Sequence, residues 1–476
     1  MNYPFWDVPI IGSGWVIGGI AIFHILVSHF AVGGGFYLPM AEAKALREGR
    51  EDWMEVLRGH ARFFLILTAV FGAVTGVGIW FAIGLANPEA TSTLIHNFVF
   101  GWAIEWVFFI VEITAAAVYY YTWDRLPARQ HLIVGWIYAG SAWASLVIIN
   151  GILTFMLTPG SAWLAVAGTG HESSRFWQAF FNPTYWPSLV LRTLVCIALA
   201  GVWALVTASR IDGFARPKLK AEVIRWSIKW LVPAFVLMPL AFGWYLWMVP
   251  ESQRGLLQLG IATIGQGTFS QVTRAGLVTV MTSASILAIV YFLAWRNPRD
   301  FNFGPAMSVL VLALAATAAT EQAREMIRKP FVIGQHMYSN GVRKAEVETF
   351  NRDGYLSHSV WARSNTGGDA DALQRARGEI IVRGQCMACH TVDGYRSLRR
   401  LLEGRDAGSI TNMVGMLHRN PEDSPYRAYM PPLVGTQEEV ADVVRYLDHL
   451  VNASPPPPPP QEITTAGEVT TAGGGR

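Results

Sequence analysis

Charge is scarce in this chain. Of 476 residues only 15% are Asp, Glu, Lys or Arg, while 52% are hydrophobic and the mean hydropathy is +0.30. Soluble domains carry about 25% charged residues, so most of this sequence is not built to face water. Cysteine is scarcer still, with three in the whole chain, which excludes a disulfide framework. The net charge of +3 is too small to name a partner, and no nucleic-acid partner is expected. No internal repeat is evident. The first apolar run is too long, and lacks the basic flank, for a cleavable signal peptide.

What the chain has instead is apolar runs long enough to cross a bilayer. Eight are expected, near 12–38, 61–85, 98–121, 132–156, 187–207, 230–249, 272–295 and 305–326. The first and second are joined by a segment with Lys44, Arg47, Arg50, Arg58 and Arg62, and the third and fourth through Arg125 and Arg129. Arg210, Arg216, Lys218, Lys220, Arg225 and Lys229 flank the fifth and sixth, and Arg296 and Arg299 the last pair. The alternate connections hold only Arg175, Arg254 and Arg274. By the positive-inside rule the N-terminus is outside, and eight spans return the C-terminus to the same side. Nineteen tryptophans and fifteen tyrosines fit interfacial belts.

Two cysteines of the three lie in Cys386-Met387-Ala388-Cys389-His390. CxxCH is the attachment signature of a c-type haem: two thioethers hold the porphyrin edge and set the following imidazole under the iron. A bare CxxC also serves zinc or redox chemistry; the added His disfavours both. Met430, in Tyr429-Met430-Pro431-Pro432, is the expected sixth ligand, with Met413 and Met416 weaker candidates. An amphipathic helix over 438–450 is expected to close this module, which resembles a small class I cytochrome c over residues 370–453. Haem c is attached outside the cytoplasmic membrane, so the motif requires the same topology as the charge asymmetry. Residues 336–369 read as a linker that docks the module, and 454–476, with a six-proline run, as a disordered tail.

Ionisable residues inside spans are costly and point to function. His24 lies well inside the first span, ahead of Gly33-Gly34-Gly35. Glu105 and Glu112, seven residues apart in the third, share one helix face. The eighth ends in Glu321, Arg324, Glu325, Arg328 and Lys329, either a charged interfacial end or a haem pocket. His29, His60, His96, His131, His171 and His336 read as packing, span-end or loop residues.

Together these residues resemble subunit I of the cytochrome bd oxidases over roughly residues 10–335. The likeness is strongest in Ile20–Pro39, in Ile104-Glu105 through Glu112 to Thr122-Trp123-Asp124-Arg125-Leu126 and Gln130-His131, in Asn150-Gly151, and in Glu325–Arg328 with Pro330-Phe331. It implies that His24 and Glu325 ligate two non-covalent haems, of b or d type, that Arg328 serves their pocket, and that Glu105 and Glu112 carry protons or balance charge. It also implies a second multi-span subunit and a bacterial inner-membrane location. The departures are specific. Arg192 stands where the family has a haem-ligating His, Gly276 stands in place of a Met, and the loop at 250–272 is short and lacks the family's quinol-binding pattern. Where the family has a final span, the cytochrome c-like module follows.

The expectation is an all-α polytopic membrane bundle with domains at 1–335 and 370–453, the second on the periplasmic side. The expected function is a bd-like oxidase fed through one covalent haem c by a periplasmic cytochrome or respiratory complex. Dioxygen is reduced to water, and quinol is not a direct donor. Two alternatives remain open: an electron-transfer subunit without oxygen chemistry, and nitric oxide as the substrate. Carbon monoxide binding to the reduced protein separates the first alternative from an oxidase.

Overall fold

A computed structural model describes residues 6, 8–251, 254, 255, 258, 271–358 and 370–453. Eight helices are long and apolar enough to cross a membrane: Ser13–Glu48, Glu51–Ala86, Pro88–Tyr121, Ala128–Leu157, Tyr185–Ser209, Pro217–Met248, Gln271–Trp295 and Phe303–Ile327. These are the spans expected from hydropathy. Most are longer than their apolar runs, because the helical ladder continues beyond the hydrocarbon into charged ends. The expected tail at 454–476, residues 359–369 of the linker and most of the loop at 250–272 lie outside the described residues.

Three irregularities bear on the site. The second span contains a π turn at Leu67–Gly72, the seventh ends in another at Val290–Trp295, and Phe98 interrupts the third span with φ −125° and ψ 30°. Each alters which carbonyls remain free, and π turns recur near functional groups.

The triple glycine of the first span has a packing reason. Consecutive helical residues point about 100° apart, so three glycines in a row open three faces. A Cβ on Gly33 would sit 2.0 Å from the Cys196 carbonyl oxygen of the fifth span. One on Gly34 would meet the Phe64 ring of the second at 2.4 Å, and one on Gly35 the Cα of Ala139 in the fourth at 3.2 Å. Three helices therefore touch the first span within one turn. Around this point lies one apolar core that includes Phe30, Tyr37, Phe64, Tyr138, Leu199 and Leu231. Val77, Phe81, Trp106, Leu240 and Met281 are exposed on the outer faces of spans, as lipid-facing side chains are.

Residues 370–453 have a separate core of Ile381, Val382, Leu402, Ile410, Val414, Val443 and Leu447. Its helices are Ala370–Cys386, Leu398–Leu402, Ala407–Arg419 and Gln437–Asn452. The first and last cross in backbone contact: a Cβ on Gly378 would lie 2.1 Å from the Asp442 carbonyl oxygen. Thr436 and Glu439 cap the last helix reciprocally. The same buried Glu439 carboxylate accepts the backbone N–H groups of Tyr355 and Leu356 at 2.7 and 2.8 Å.

Between the two cores runs a short hairpin (Phe331–Ile333 with Met337–Tyr338) and the helix Val347–Asp353. Gly334 N–H donates to the Met156 carbonyl at 2.9 Å, and Asn351 accepts from Gly435 N–H at 3.0 Å. This segment thus touches both units. The C-terminal unit sits on the face where the first span begins and the eighth ends, the parity an even number of spans requires.

Gly33→Ala is expected to destabilise the protein by ~1–3 kcal/mol through overpacking against backbone. Gly18→Ala, where nothing lies within 4 Å, is expected to leave stability unchanged. Thermal unfolding of the two detergent-solubilised variants checks this.

Candidate functional site

Three groups of side chains are the candidates for chemistry. The first is the Cys386–His390 loop. The helix Ala370–Cys386 ends on the first cysteine, and Cys389 N–H and His390 N–H both return to the Cys386 carbonyl at 3.1 and 3.0 Å. That single turn puts both thiols and the imidazole together. Both thiols are unpaired. Burial, with the neighbouring Cys389, pushes the Cys386 thiol up to about 12. Burial also lowers the pKa of His390 and so favours its neutral form. Its Nδ1 lies 3.0 Å from the Arg396 carbonyl; a carbonyl only accepts, so Nδ1 carries the hydrogen and Nε2 keeps its lone pair. A metal-ligating histidine is oriented in this way.

Met430 is half-buried, on a loop tied back to this turn. The Gln385 side chain donates to the Val434 carbonyl at 2.7 Å and accepts from Val434 N–H at 2.9 Å. The residue before Cys386 thereby anchors the chain four residues after Met430. Met413 packs in the apolar core with Cys386 and Met387, and with Met416 it lines a cleft of about 530 Å³ beside Tyr426.

The second group lies at the outer ends of the spans. Glu321, Arg324, Glu325 and Arg328 follow one face of the eighth. Arg324 donates to Glu321 at 2.9 Å and to Glu325 at 2.7 Å, and Arg328 donates to Glu325. Arg192, 6% exposed in the fifth span, is 3.2 Å from Glu321. Three guanidinium groups thus face two carboxylates. Arg192 Nε, Arg324 Nη1 and Arg328 Nε are buried without a hydrogen-bond partner among the described residues. Buried cationic donors left open fit an anionic group such as a haem propionate.

His24 faces the second span, where its Nδ1 is 2.8 Å from Thr75 Oγ1. The one hydroxyl hydrogen of Thr75 is directed to the Phe71 carbonyl at 2.5 Å, inside the π turn. The imidazole must therefore donate from Nδ1, which leaves Nε2 free. Gly76 packs beside the ring, where a Cβ would make ordinary van der Waals contact with His24 Cε1 at 3.5 Å. His24 and the residues of the C-terminal motif both pass the same test for an axial ligand.

The third group is on the third span. Glu105 accepts from Ser145 at 2.9 Å, and Glu112 is buried at 5% exposure beside Tyr138. Seven residues at 1.5 Å rise separate them by about 10 Å on one face.

Sequence reasoning missed two features. His29, read there as packing, is 3% exposed and lies beside the Arg192–Glu321 pair, with Nδ1 donating to the Ile25 carbonyl at 2.6 Å. Five residues from His24, it points to a different face, so no periodicity linked it to the eighth span. His131 bonds Glu42 from Nδ1 at 2.7 Å and the Tyr119 carbonyl from Nε2 at 2.8 Å, while the Tyr119 hydroxyl donates to Glu42 at 2.6 Å. Because Nε2 must donate to that carbonyl, the Glu42–Nδ1 contact needs one further shared proton. The only signal was a polar Glu42 late in an apolar run.

Between the first group and the second, contact is direct. Lys329 Nζ lies 3.5 Å from Cys389 Sγ, one residue from Arg328. Ser13 Oγ donates to the Met387 carbonyl at 3.4 Å, and Tyr395 N–H donates to the Ile10 carbonyl at 2.7 Å.

Residues 13–241 match the family described as cytochrome bd terminal oxidase subunit I. Over 182 residues the chain is 30% identical to the cytochrome bd-II ubiquinol oxidase subunit 1 of Escherichia coli (strain K12), which covers 37% of this chain and 34% of that protein. The chain thus spans about a third of the length of that curated relative. Its fold is like that of the bd oxidase from Geobacillus thermodenitrificans, with a TM-score of 0.55 at 17% identity, over 67% of this chain and 87% of that one. The family match takes in the fifth and sixth spans, where the sequence resemblance is weak. It stops before the seventh and eighth spans and so does not reach Glu325 or Arg328. The chain is a multi-pass membrane protein, and its residues 13–241 are similar to subunit I of the cytochrome bd terminal oxidases.

Proposed function

We propose that the chain is a haem-containing membrane oxidoreductase of the bd type. In this reading reducing equivalents arrive at Cys386–His390 on the outer face, and dioxygen is reduced to water within the membrane domain. The observation that carries it is Lys329, with its ammonium 3.5 Å from Cys389 Sγ and its neighbour Arg328 holding the Glu325 carboxylate. The haem c attachment turn and the charged end of the eighth span are thus joined by consecutive residues.

Haem, once bound, supplies iron that exchanges single electrons and binds a small oxidant. The residues of this chain do the rest. Cys386 and Cys389 offer thiols for covalent attachment, and His390 and Met430 offer axial ligands. His24 and Glu325 are assigned to two separate non-covalent haems of b or d type. Arg328, with Arg324 and Arg192, offers guanidinium N–H groups to carboxylates. Reducing dioxygen to water consumes one proton per electron, and Glu105 and Glu112 are the carboxylates positioned to hold protons inside the bundle.

Quinol is not a direct donor in this reading. Arg192 occupies the position of the family's low-spin haem ligand, and a guanidinium stays protonated with no lone pair to give. It is engaged with Glu321 instead. The donor is a periplasmic cytochrome or respiratory complex, a second multi-span subunit stands beside this chain, and the location is a bacterial inner membrane.

His24→Ala is expected to lose non-covalent haem and activity while covalent haem c stays. Pyridine haemochrome after acid-acetone extraction measures both pools. Full retention of the extractable haem would move the ligand to His29, whose Nε2 is also open.

The purified protein is expected to hold one covalent haem to about two extractable ones. It should consume oxygen with reduced cytochrome c or an artificial donor, and not with quinol alone. Inhibitor-sensitive quinol oxidation without partners would defeat the proposal.

In Gly394→Val the Cβ itself would lie 2.0 Å from the Ile10 carbonyl oxygen. The C-terminal unit should lift from the first span. The haem c spectrum should be unchanged, while stopped-flow re-oxidation of haem c by oxygen slows.

A further inference from the structure

On the opposite, positively charged face, the ends of three spans enclose a cavity of about 180 Å³ lined by Lys44, Trp53, Glu222, Arg225, Trp226 and Lys229. The first span supplies Lys44, the second Trp53 and the sixth the other four. The charges of two lining residues are already answered: Lys44 by Glu48, and Glu222 by Arg50 at 2.6 Å. Arg225 and Lys229, one turn apart on the sixth span, are exposed and form no ion pair among the described residues. Lys44 Nζ sits 4.3 Å from the ring centroid of Trp53 and 5.9 Å from that of Trp226.

The two indoles carry the independent observation. Trp53 is 1% exposed, and its Nε1 and that of Trp226 are buried without an acceptor among the described residues. A buried indole N–H ordinarily finds a partner. Here both indoles line a small cavity whose other side chains are Lys44, Arg225, Lys229 and the Arg50-held Glu222, so the acceptor that suits it carries negative charge. Side chains do not supply it: the one lining carboxylate, Glu222, is held by Arg50.

We propose that this cavity binds a phosphate group, received from the headgroup of an anionic phospholipid in the inner leaflet. Two indole N–H groups and Lys44 contact the phosphate oxygens, and Arg225 and Lys229 supply the uncompensated charge at the rim. A phosphodiester fits better than a carboxylate, because its several oxygens serve donors that come from three different helices. The site joins the first, second and sixth spans at the end remote from the C-terminal unit, so lipid there acts as a cross-brace for the bundle. The inference rests on membrane sidedness and not on the redox reading.

Native mass spectrometry of the detergent-purified full chain, titrated with phosphatidylglycerol, phosphatidylcholine or inorganic phosphate, tests it. Phosphatidylglycerol is expected to bind tightly and phosphatidylcholine weakly. Arg225→Gln with Lys229→Gln should weaken phosphatidylglycerol roughly thirtyfold, at about one kcal/mol per cation. The pair Arg296→Gln with Arg299→Gln, on the same membrane face but outside the cavity, should leave the tight site intact. Trp53→Phe with Trp226→Phe keeps the ring packing and should weaken binding by removing the donors. Binding of inorganic phosphate that competes with the lipid and is lost in the same variants upholds the phosphate site and assigns it to the free ion. Equal losses in both arginine-containing pairs, or no loss in either, overturn the proposal.

Discussion

Five ionised side chains packed against one another at the outer end of the bundle, Arg192 buried and the other four partly so, set the terms for what surrounds them. Taking one such ion out of water costs several kcal/mol even after relaxation. Arg192, Glu321, Arg324, Glu325 and Arg328 offset this only as a set, each carboxylate between two guanidinium groups. Removing any member strands a charge, so the fifth and eighth spans are locked in register. The set is also uneven, with one cation in excess and three N–H groups unmatched among the described residues. That imbalance favours a negatively charged group beside the set.

The docking of the C-terminal unit follows from the same place. Lys329 leaves the eighth span directly after Arg328 and reaches Cys389, while the beginning of the first span lies against the Cys386–His390 turn. Backbone meets backbone there: a Cβ on Gly14 would lie 2.9 Å from the Ala388 carbonyl oxygen. Contacts between main chains leave little room for sliding, so the Cys386–His390 turn is held at a fixed place over the membrane domain. Nearly the same device, small residues at a crossing, joins the spans at Gly33–Gly35 and the helices of the C-terminal unit at Gly378.

How much of this was legible in the sequence depended on how local each signal was. The eight spans are runs of hydropathy, and the CxxCH turn is five consecutive residues; both could be read directly. The charged end of the eighth span was legible as a cluster, because its residues lie close together and are rare in membranes. The pairing within the cluster was not, since it depends on rotamers and on a helix 129 residues away. The His131–Glu42 bond spans 89 residues, and each residue alone looks like an ordinary span-end group. His29 was hidden for the opposite reason: it sits near His24 in sequence but on another helix face. The triple glycine read as a curiosity until three neighbouring helices were in view.

The third span adds a last step. Glu105, Glu112 and Tyr119 recur every seven residues, so they form one column on a helix that runs from the outer to the inner face. At its inner end Tyr119 joins Glu42 and His131, where the hydrogen-bond geometry demands a bound proton. At its middle Glu105 is held by Ser145 of the fourth span. On the function proposed, electrons enter from the outer face through the C-terminal unit and protons are drawn up this column from the inner face. The two would meet from opposite sides of the membrane. Charge is then separated across the bilayer by the placement of the entrances alone, without any proton having to traverse the full width.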